Sequence, residues 1–240
     1  MEQDAATPPE RIAPYPEGSK RRAAIEIALA YLLILSVVWT PRPLQRFLWI
    51  AAAVGIAVMV WRSFQGWKPM GFTTANFARS IWIVGAALGA AAIAVAIAGR
   101  WHTLHLPPVG LRGFIATYIA YAIWTAAQQF LLQGFFLFRI ERLMPGKAAA
   151  LGAAVLFAAT HLPNPILTPI TLFWGIAACL LFLRYRNIYP LMLAHAILGI
   201  AVAMTVPGPV VHNMRVGLGY LTYNPNAHRH PHHFPWSAQP

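Results

Sequence analysis

Acidic residues are scarce in this chain, since its 240 residues include only 6 Asp and Glu against 18 Lys and Arg. Charged residues make up 10% of the sequence and hydrophobic residues 58%. A soluble domain of this length could not bury so much apolar surface, so the composition indicates an integral membrane protein. The net charge of +12 does not predict nucleic-acid binding, because the basic residues stand mostly singly or in pairs between apolar runs.

Cysteine is almost absent, which excludes a disulfide framework and a thiolate metal site. Cys179 lies in an apolar run and is interpreted as a small core or lipid-facing residue. Histidines are dense only in the C-terminal tail, which contains His228, His230, His232 and His233. Such a tract can bind metal ions by composition, but an irregular terminus usually does so adventitiously.

Long apolar runs separated by Pro and Gly predict an all-α polytopic membrane bundle of about seven transmembrane helices. The predicted spans are 23–40, 44–62, 81–99, 113–138, 147–162, 166–184 and 187–206. Residues 207–222 are partly apolar and could form an eighth segment. We expect four regions, namely a disordered cytoplasmic tail (1–22), three helices with their loops (23–112), a core that carries the site (113–206) and a His- and Pro-rich tail (207–240).

The distribution of basic residues predicts the orientation of the bundle. With the N-terminus inside, the outer segments hold six basic residues: Arg42, Arg46, Arg100, Arg112, Arg215 and Arg229. The remaining 12 of the 18 fall on the cytoplasmic side. Because cytoplasmic loops carry an excess of Lys and Arg, we expect a multi-pass protein of a bacterial inner membrane with a cytoplasmic N-terminus.

Polar side chains interrupt three of the apolar helices. They are Gln128, Gln129 and Gln133 on one helix, His161 on the next and His195 on a later one. Helix rise places Gln128, His161 and His195 at similar depths, roughly 13–21 Å from the cytoplasmic boundary. Intramembrane polar groups usually face a protein interior and mark a site, so we predict that these residues share one cavity. The alternative is that each makes a hydrogen bond between packed helices.

The order and spacing of these residues resemble the CPBP family of intramembrane proteases, the CAAX-protease and bacteriocin-processing group. The resemblance covers residues of about 113–205. Phe157 and His161 match a Phe-x-x-x-His motif that is followed by Leu162-Pro163-Asn164, and His195 follows a family-like Asn187-Ile-Tyr-Pro190. The family has Glu-Glu-x-x-x-Arg where this chain has Gln128, Gln129 and Gln133, and it has Asn where this chain has Gly199.

This resemblance implies an intramembrane endopeptidase acting on a membrane-associated or prenylated peptide. His161, His195 and Gln128 stand at the catalytic positions, and Gln129, Gln133, Phe157 and Gly199 line the site. In the family mechanism the first glutamate and the first histidine activate water, while the second histidine and the asparagine stabilise the oxyanion. An amide cannot act as a general base, so the implied hydrolysis is weakened or altered, with the His161 imidazole as a substitute base.

The glutamines at 129 and 133 stand where the family has an i,i+4 ion pair. An amide pair can keep a mutual hydrogen bond without the charges. Glu26 and Glu141 lie beside arginines at helix ends, and we expect them to pair with arginines and not to replace the lost base.

Two further functions stay open on the sequence. The first is a catalytically inactive relative that binds a membrane partner or a peptide, and the second is an enzyme with changed chemistry on a lipid or isoprenoid substrate. We expect no cofactor. A metal held by His161 and His195 is chemically allowed, but no carboxylate or thiolate is there to complete the ligand set. The expected partners are the lipid bilayer and a membrane-associated peptide or protein substrate.

Overall fold

The computed structural model describes residues 17–105 and 110–224, and these residues form helices and connecting loops without any strand. The α-helices are α1 (Glu17–Trp39), α2 (Leu44–Arg62), α3 (Phe77–Ser80), α4 (Trp82–Arg100), α5 (Leu111–Gln129), α6 (Phe138–Ile140), α7 (Gly146–Ala159), α8 (Leu167–Tyr185), α9 (Tyr189–Thr205), α10 (Gly208–Val211) and α11 (Gly217–Leu221). A π-helical segment (Phe130–Leu137) joins α5 to α6, and a 3-10 turn (His212–Met214) follows α10. The predicted all-α fold is confirmed.

The helices follow the apolar runs closely. α2 spans Leu44–Arg62, and one unbroken helical stretch runs from α5 to α6 where the sequence predicts 113–138. α1 begins at Glu17 and not at 23, so the last residues of the predicted tail are helical. The rest of that tail, residues 1–16, and the His-rich tract at 225–240 lie outside the described residues.

The described helices support membrane insertion. Four are long and apolar enough to cross a bilayer: Gly18–Trp39, Leu44–Arg62, Phe77–Arg100 and Leu167–Tyr185. A fifth results if α9 and the segment Gly208–Met214 count as one span, although they are bent by 119°. The apolar helix α7 has 14 residues, or about 21 Å, and is shorter than a hydrocarbon core of about 30 Å. The protein is therefore an integral membrane protein, and the number of seven membrane-spanning helices stays a prediction.

The segment 207–222 folds back onto the bundle and does not form an eighth long helix. It consists of α10, the 3-10 turn and α11, each of five residues or fewer. The Gly217 amide donates a hydrogen bond to the Leu162 carbonyl at 2.7 Å. This return places the segment against the loop between α7 and α8.

The tightest packing joins α7 to α8. Ala149, Ala150, Ala153 and Ala154 of α7 are almost fully buried, and Ala154 packs directly against Gly175 of α8. Small residues let helix backbones approach closely inside a membrane. This close approach fixes the relative position of α7 and α8, the two helices that flank the loop carrying His161.

One end of the bundle is held by ion pairs, and we call it the paired end. The Arg139 guanidinium, with its side chain 1% exposed, contacts the Glu26 carboxylate at 2.7 Å, and Glu26 also pairs with Arg22. Glu141 accepts two hydrogen bonds from Arg186. The prediction that Glu26 and Glu141 pair with arginines is confirmed, with Arg139 and Arg186 as partners.

The opposite end carries Arg42, Arg46 and Arg215, and we call it the basic end. Its loops are joined through backbone carbonyls. The Thr103 hydroxyl donates to the Thr205 carbonyl at 3.1 Å, and the Asn164 amide donates to the Arg215 carbonyl at 3.1 Å. Between the two ends lies the cleft described next.

Candidate active-site cleft

A cleft of about 1910 Å³ is lined by residues of α2, α5, α9 and the segment after α9, with further residues from α1, α4, α7 and α8. The α2 wall is a single helical face consisting of Arg46, Trp49, Ala52, Ala53, Ile56, Ala57 and Val60. Residues three and four apart share a helix face, so this wall is continuous. At one edge, Trp49 contacts Trp124 of α5 edge to face, with ring centroids 5.1 Å apart.

Gln128, His161 and His195 all line this cleft, together with Phe157 and Gly199. The Phe157 ring is the common neighbour of the two imidazoles. Its centroid lies 4.9 Å from that of His161 and 6.0 Å from that of His195. Side chains from α5, from the end of α7 and from α9 therefore face one space.

His161 lies just beyond the C-terminal end of α7. Its Nδ1 is 2.9 Å from the Phe157 carbonyl oxygen. A carbonyl can only accept, so we infer that Nδ1 carries the ring proton and that Nε2 is the proton-accepting nitrogen. The backbone thus selects the tautomer that a general base needs.

Asn164 holds the loop that carries His161. This residue is fully buried, and its Oδ1 accepts hydrogen bonds from the amides of Ile166 and Leu167 at the start of α8. Its Nδ2 donates to the carbonyls of Val211 and Arg215. One side chain thus ties the His161 loop to α8 and to the segment after α9.

His195 is 8% exposed, and its Nδ1 has no hydrogen-bond partner among the described residues. It also packs against Trp174, with ring centroids 5.8 Å apart. A buried imidazole nitrogen without a protein partner indicates a bound water or a ligand group. The Nδ1 atom of His195 is therefore a polar atom between the aromatic rings of Phe157 and Trp174.

Gln129 and Gln133 depart from the sequence prediction. Both are fully buried, and they are not among the residues that line the cleft. Gln129 donates to the Leu191 carbonyl at 3.3 Å, whereas neither side-chain polar atom of Gln133 has a partner among the described residues. The two amides therefore do not bond to each other, although an amide pair at this spacing could do so. The π-helical segment begins between the two residues and alters the i,i+4 alignment on which the prediction depended.

Tyr121 is a cleft residue that the sequence prediction missed. A Cβ added to Gly199 would collide with the Tyr121 hydroxyl, so the phenol occupies the space beside that glycine. An asparagine at 199 could not be introduced without moving Tyr121. The signal in the sequence was its position two turns before Gln128, which puts both residues on one face of α5.

Neither a carboxylate nor a metal-binding group of side chains lies in the described part of the cleft. No Asp or Glu lines it, and no three His, Cys, Asp or Glu side chains in residues 17–105 and 110–224 are grouped to hold a metal. Of the described residues, His105, His161 and His195 line the cleft and could contribute imidazole ligands. The absence of a cofactor stays a prediction.

Residues 115–201 match the family model described as type II CAAX prenyl endopeptidase Rce1-like. Neither the curated proteins nor the solved structures gave a significant match. The matched stretch begins in α5 and ends in α9, so it includes Gln128, His161 and His195. The chain is thus a membrane protein whose residues 115–201 are similar to the Rce1-like CAAX prenyl endopeptidases.

Proposed function

We propose that the protein is an intramembrane endopeptidase of reduced activity, acting on a membrane-associated or prenylated peptide, with the His161 imidazole as general base. One observation carries the proposal: the Nδ1 of His161 is bonded to the Phe157 carbonyl, and the ring shares the Phe157 contact with His195. An imidazole held in this tautomer is prepared to accept a proton at Nε2.

The chemistry follows from these positions. A water molecule attacks the peptide carbonyl while Nε2 of His161 takes its proton, and the same proton is then given to the leaving amine. His195 and the Gln128 amide can donate hydrogen bonds, so they stabilise the oxyanion and orient the peptide. Without a carboxylate to assist the base, we expect turnover slower than a glutamate would give.

We also infer that the paired end faces the cytoplasm of a bacterial inner membrane. The supporting observation is the charge count, because most basic residues fall on the side of the N-terminus. In this orientation the basic end faces outward.

A second candidate function is peptide binding without turnover. It is favoured by the ion pairs of Glu26 and Glu141, because both carboxylates are bound to arginines at the paired end. Neither is therefore available to replace the base that the Gln128 amide cannot supply.

The test is cleavage of prenylated and unmodified peptides by the purified protein in lipid nanodiscs. We expect slow cleavage that is lost in His161→Ala and kept in His102→Ala, which removes an exposed histidine outside the cleft. Cleavage that survives His161→Ala would contradict the role of the base. Saturable peptide binding without product would favour the second candidate. The absence of both binding and cleavage would rule out a peptide ligand.

A further inference from the structure

Two buried nitrogen atoms of cleft residues have no hydrogen-bond partner among the described residues. One is Nδ1 of His195 on α9, and the other is Nε1 of Trp174 on α8. Both side chains line the cleft. A buried indole N–H is usually hydrogen-bonded, so Trp174, like His195, indicates a bound water or a ligand group.

The rings of Trp174 and His195 are neighbours. Their centroids lie 5.8 Å apart, and the ring planes are tilted by 47°. One oxygen atom can bridge two such rings, since two N–H···O hydrogen bonds of about 2.9 Å each span a similar length. His195 also contacts the Phe157 ring, which in turn contacts His161. The indole of Trp174 is thus connected to the His161 imidazole through a continuous row of ring contacts.

The packing of α8 on α7 positions Trp174. A Cβ added to the neighbouring Gly175 would lie 3.1 Å from the Ala154 side chain and 3.5 Å from the Phe157 ring. The glycine therefore lets the two helix backbones approach closely at this point. Because Trp174 precedes that glycine, the close approach also brings α8 to the level of Phe157.

The chemistry of the indole selects the kind of partner. Its N–H can only donate a hydrogen bond, so the partner of Trp174 must be an acceptor. A peptide carbonyl oxygen is an acceptor, and it becomes a stronger one when water adds to the carbonyl carbon, because the C=O electron pair moves onto the oxygen. Donors that are already in place in a site shielded from water stabilise this developing charge.

We propose that the Trp174 indole N–H and the His195 Nδ1–H together bind the oxyanion of the tetrahedral intermediate, which makes Trp174 a further catalytic residue. This inference rests on the proposed function, because it assigns a donor to the peptide hydrolysis described above. In that reaction the water proton goes to Nε2 of His161. The carbonyl oxygen that gains the electron pair is bound by Trp174 and His195, while the Gln128 amide orients the peptide.

The experiment measures the binding of two prenylated peptides to the full chain in lipid nanodiscs. One peptide has a phosphinate at the scissile position, which is a stable tetrahedral anion. The other has an ethylene unit there, which keeps the remaining peptide contacts and lacks the oxygen. Trp174→Phe is the test variant, because it retains an aromatic ring and removes the N–H. Trp101→Phe is the matched control, since Trp101 is 72% exposed and does not line the cleft.

We expect Trp174→Phe to weaken phosphinate binding by about tenfold to a hundredfold, because a hydrogen bond to a charged oxygen is lost. The same variant should bind the ethylene peptide as the unmodified protein does, and its kcat for cleavage should fall by a similar factor at an unchanged KM. In the unmodified protein with isotope-labelled tryptophan, the phosphinate should move the Trp174 indole N–H signal downfield. That signal is the one of nine tryptophan signals that Trp174→Phe removes.

Equal phosphinate affinity in Trp174→Phe and Trp101→Phe, or an unmoved Trp174 signal, would overturn the role of Trp174. If the ethylene peptide still binds in that case, the proposed peptide ligand stands. Equal weakening of both peptides in Trp174→Phe would also overturn the proposal, because it would show a packing role of the ring. If neither peptide binds the unmodified protein, the proposed function fails together with this inference.

Discussion

The two ends of the bundle use arginine in opposite ways. At the paired end Arg139 is buried against Glu26, and its guanidinium also donates to the Ser63 hydroxyl at 2.6 Å. At the basic end the exposed Arg42 and Arg46 line the cleft, to which no Asp or Glu of the described chain contributes. A buried cation needs a partner to be tolerated, whereas a cation at the rim of a cleft stays available to a ligand. The first end stabilises the fold, and the second is suited to binding.

Replacement of Glu26 is expected to lower the unfolding free energy more than the other substitutions. Glu26→Gln leaves the Arg139 guanidinium buried without its counter-charge, and breaking a buried pair costs about 3–5 kcal/mol of unfolding free energy. Reversible unfolding in mixed micelles measures the loss. Glu141→Gln is the matched control, because the side chain of its partner Arg186 is 34% exposed and an exposed pair contributes about 1 kcal/mol or less. Equal losses in the two variants would contradict the structural role of Arg139.

A smaller loss of unfolding free energy is expected when the buried asparagine of either end is replaced. Asn164→Ala leaves the carbonyls of Val211 and Arg215 without their donor, at a cost of about 1–3 kcal/mol. Asn187→Ala at the paired end should cost a similar amount, because its Nδ2 donates to two backbone carbonyls in the same way. Asn76→Ala, in an exposed position with one such bond, should change stability less. If Asn164→Ala were as mild as Asn76→Ala, the basic end would lack the anchoring described here.

Replacement of Arg42 is expected to change the unfolding free energy least. Arg42→Gln should leave the unfolding free energy within about 0.5 kcal/mol of the parent protein, because an exposed arginine outside ion pairs contributes little to stability. The same unfolding assay measures it beside Glu26→Gln. A loss of several kcal/mol would show that the basic end, too, uses its charges for folding.

Much of the fold could be predicted from the sequence, because apolar runs and their breakers define helices directly. The prediction of a span at 44–62 coincides with α2. The pairing of Glu26 and Glu141 with arginines could be predicted, since a lone acid next to basic residues at a helix end has few other partners. The matched stretch of 115–201 agrees with the resemblance inferred from motif order.

The features that failed depend on geometry that no motif encodes. Gln129 and Gln133 are both fully buried, and a π-helical segment, which a 3.6-residue period cannot predict, begins between them. The place of Tyr121 beside Gly199 depends on how closely α5 approaches α9. Arg42 and Arg215 are distant in sequence, and they line one cleft because the segment after α9 returns to the bundle. Each is a tertiary consequence of packing.

The most direct test of the account is the cleavage rate of Gln128→Glu. If Gln128 faces the same space as His161 and the cleft accepts peptides, a carboxylate there should raise cleavage of a prenylated peptide by about a hundredfold or more. Gln45→Glu is the control, because it adds the same group to the same cleft at the basic end. A selective gain in Gln128→Glu is the predicted result. An unchanged rate in a folded Gln128→Glu protein, or an equal gain in both variants, would contradict a site formed by Gln128 and the two histidines.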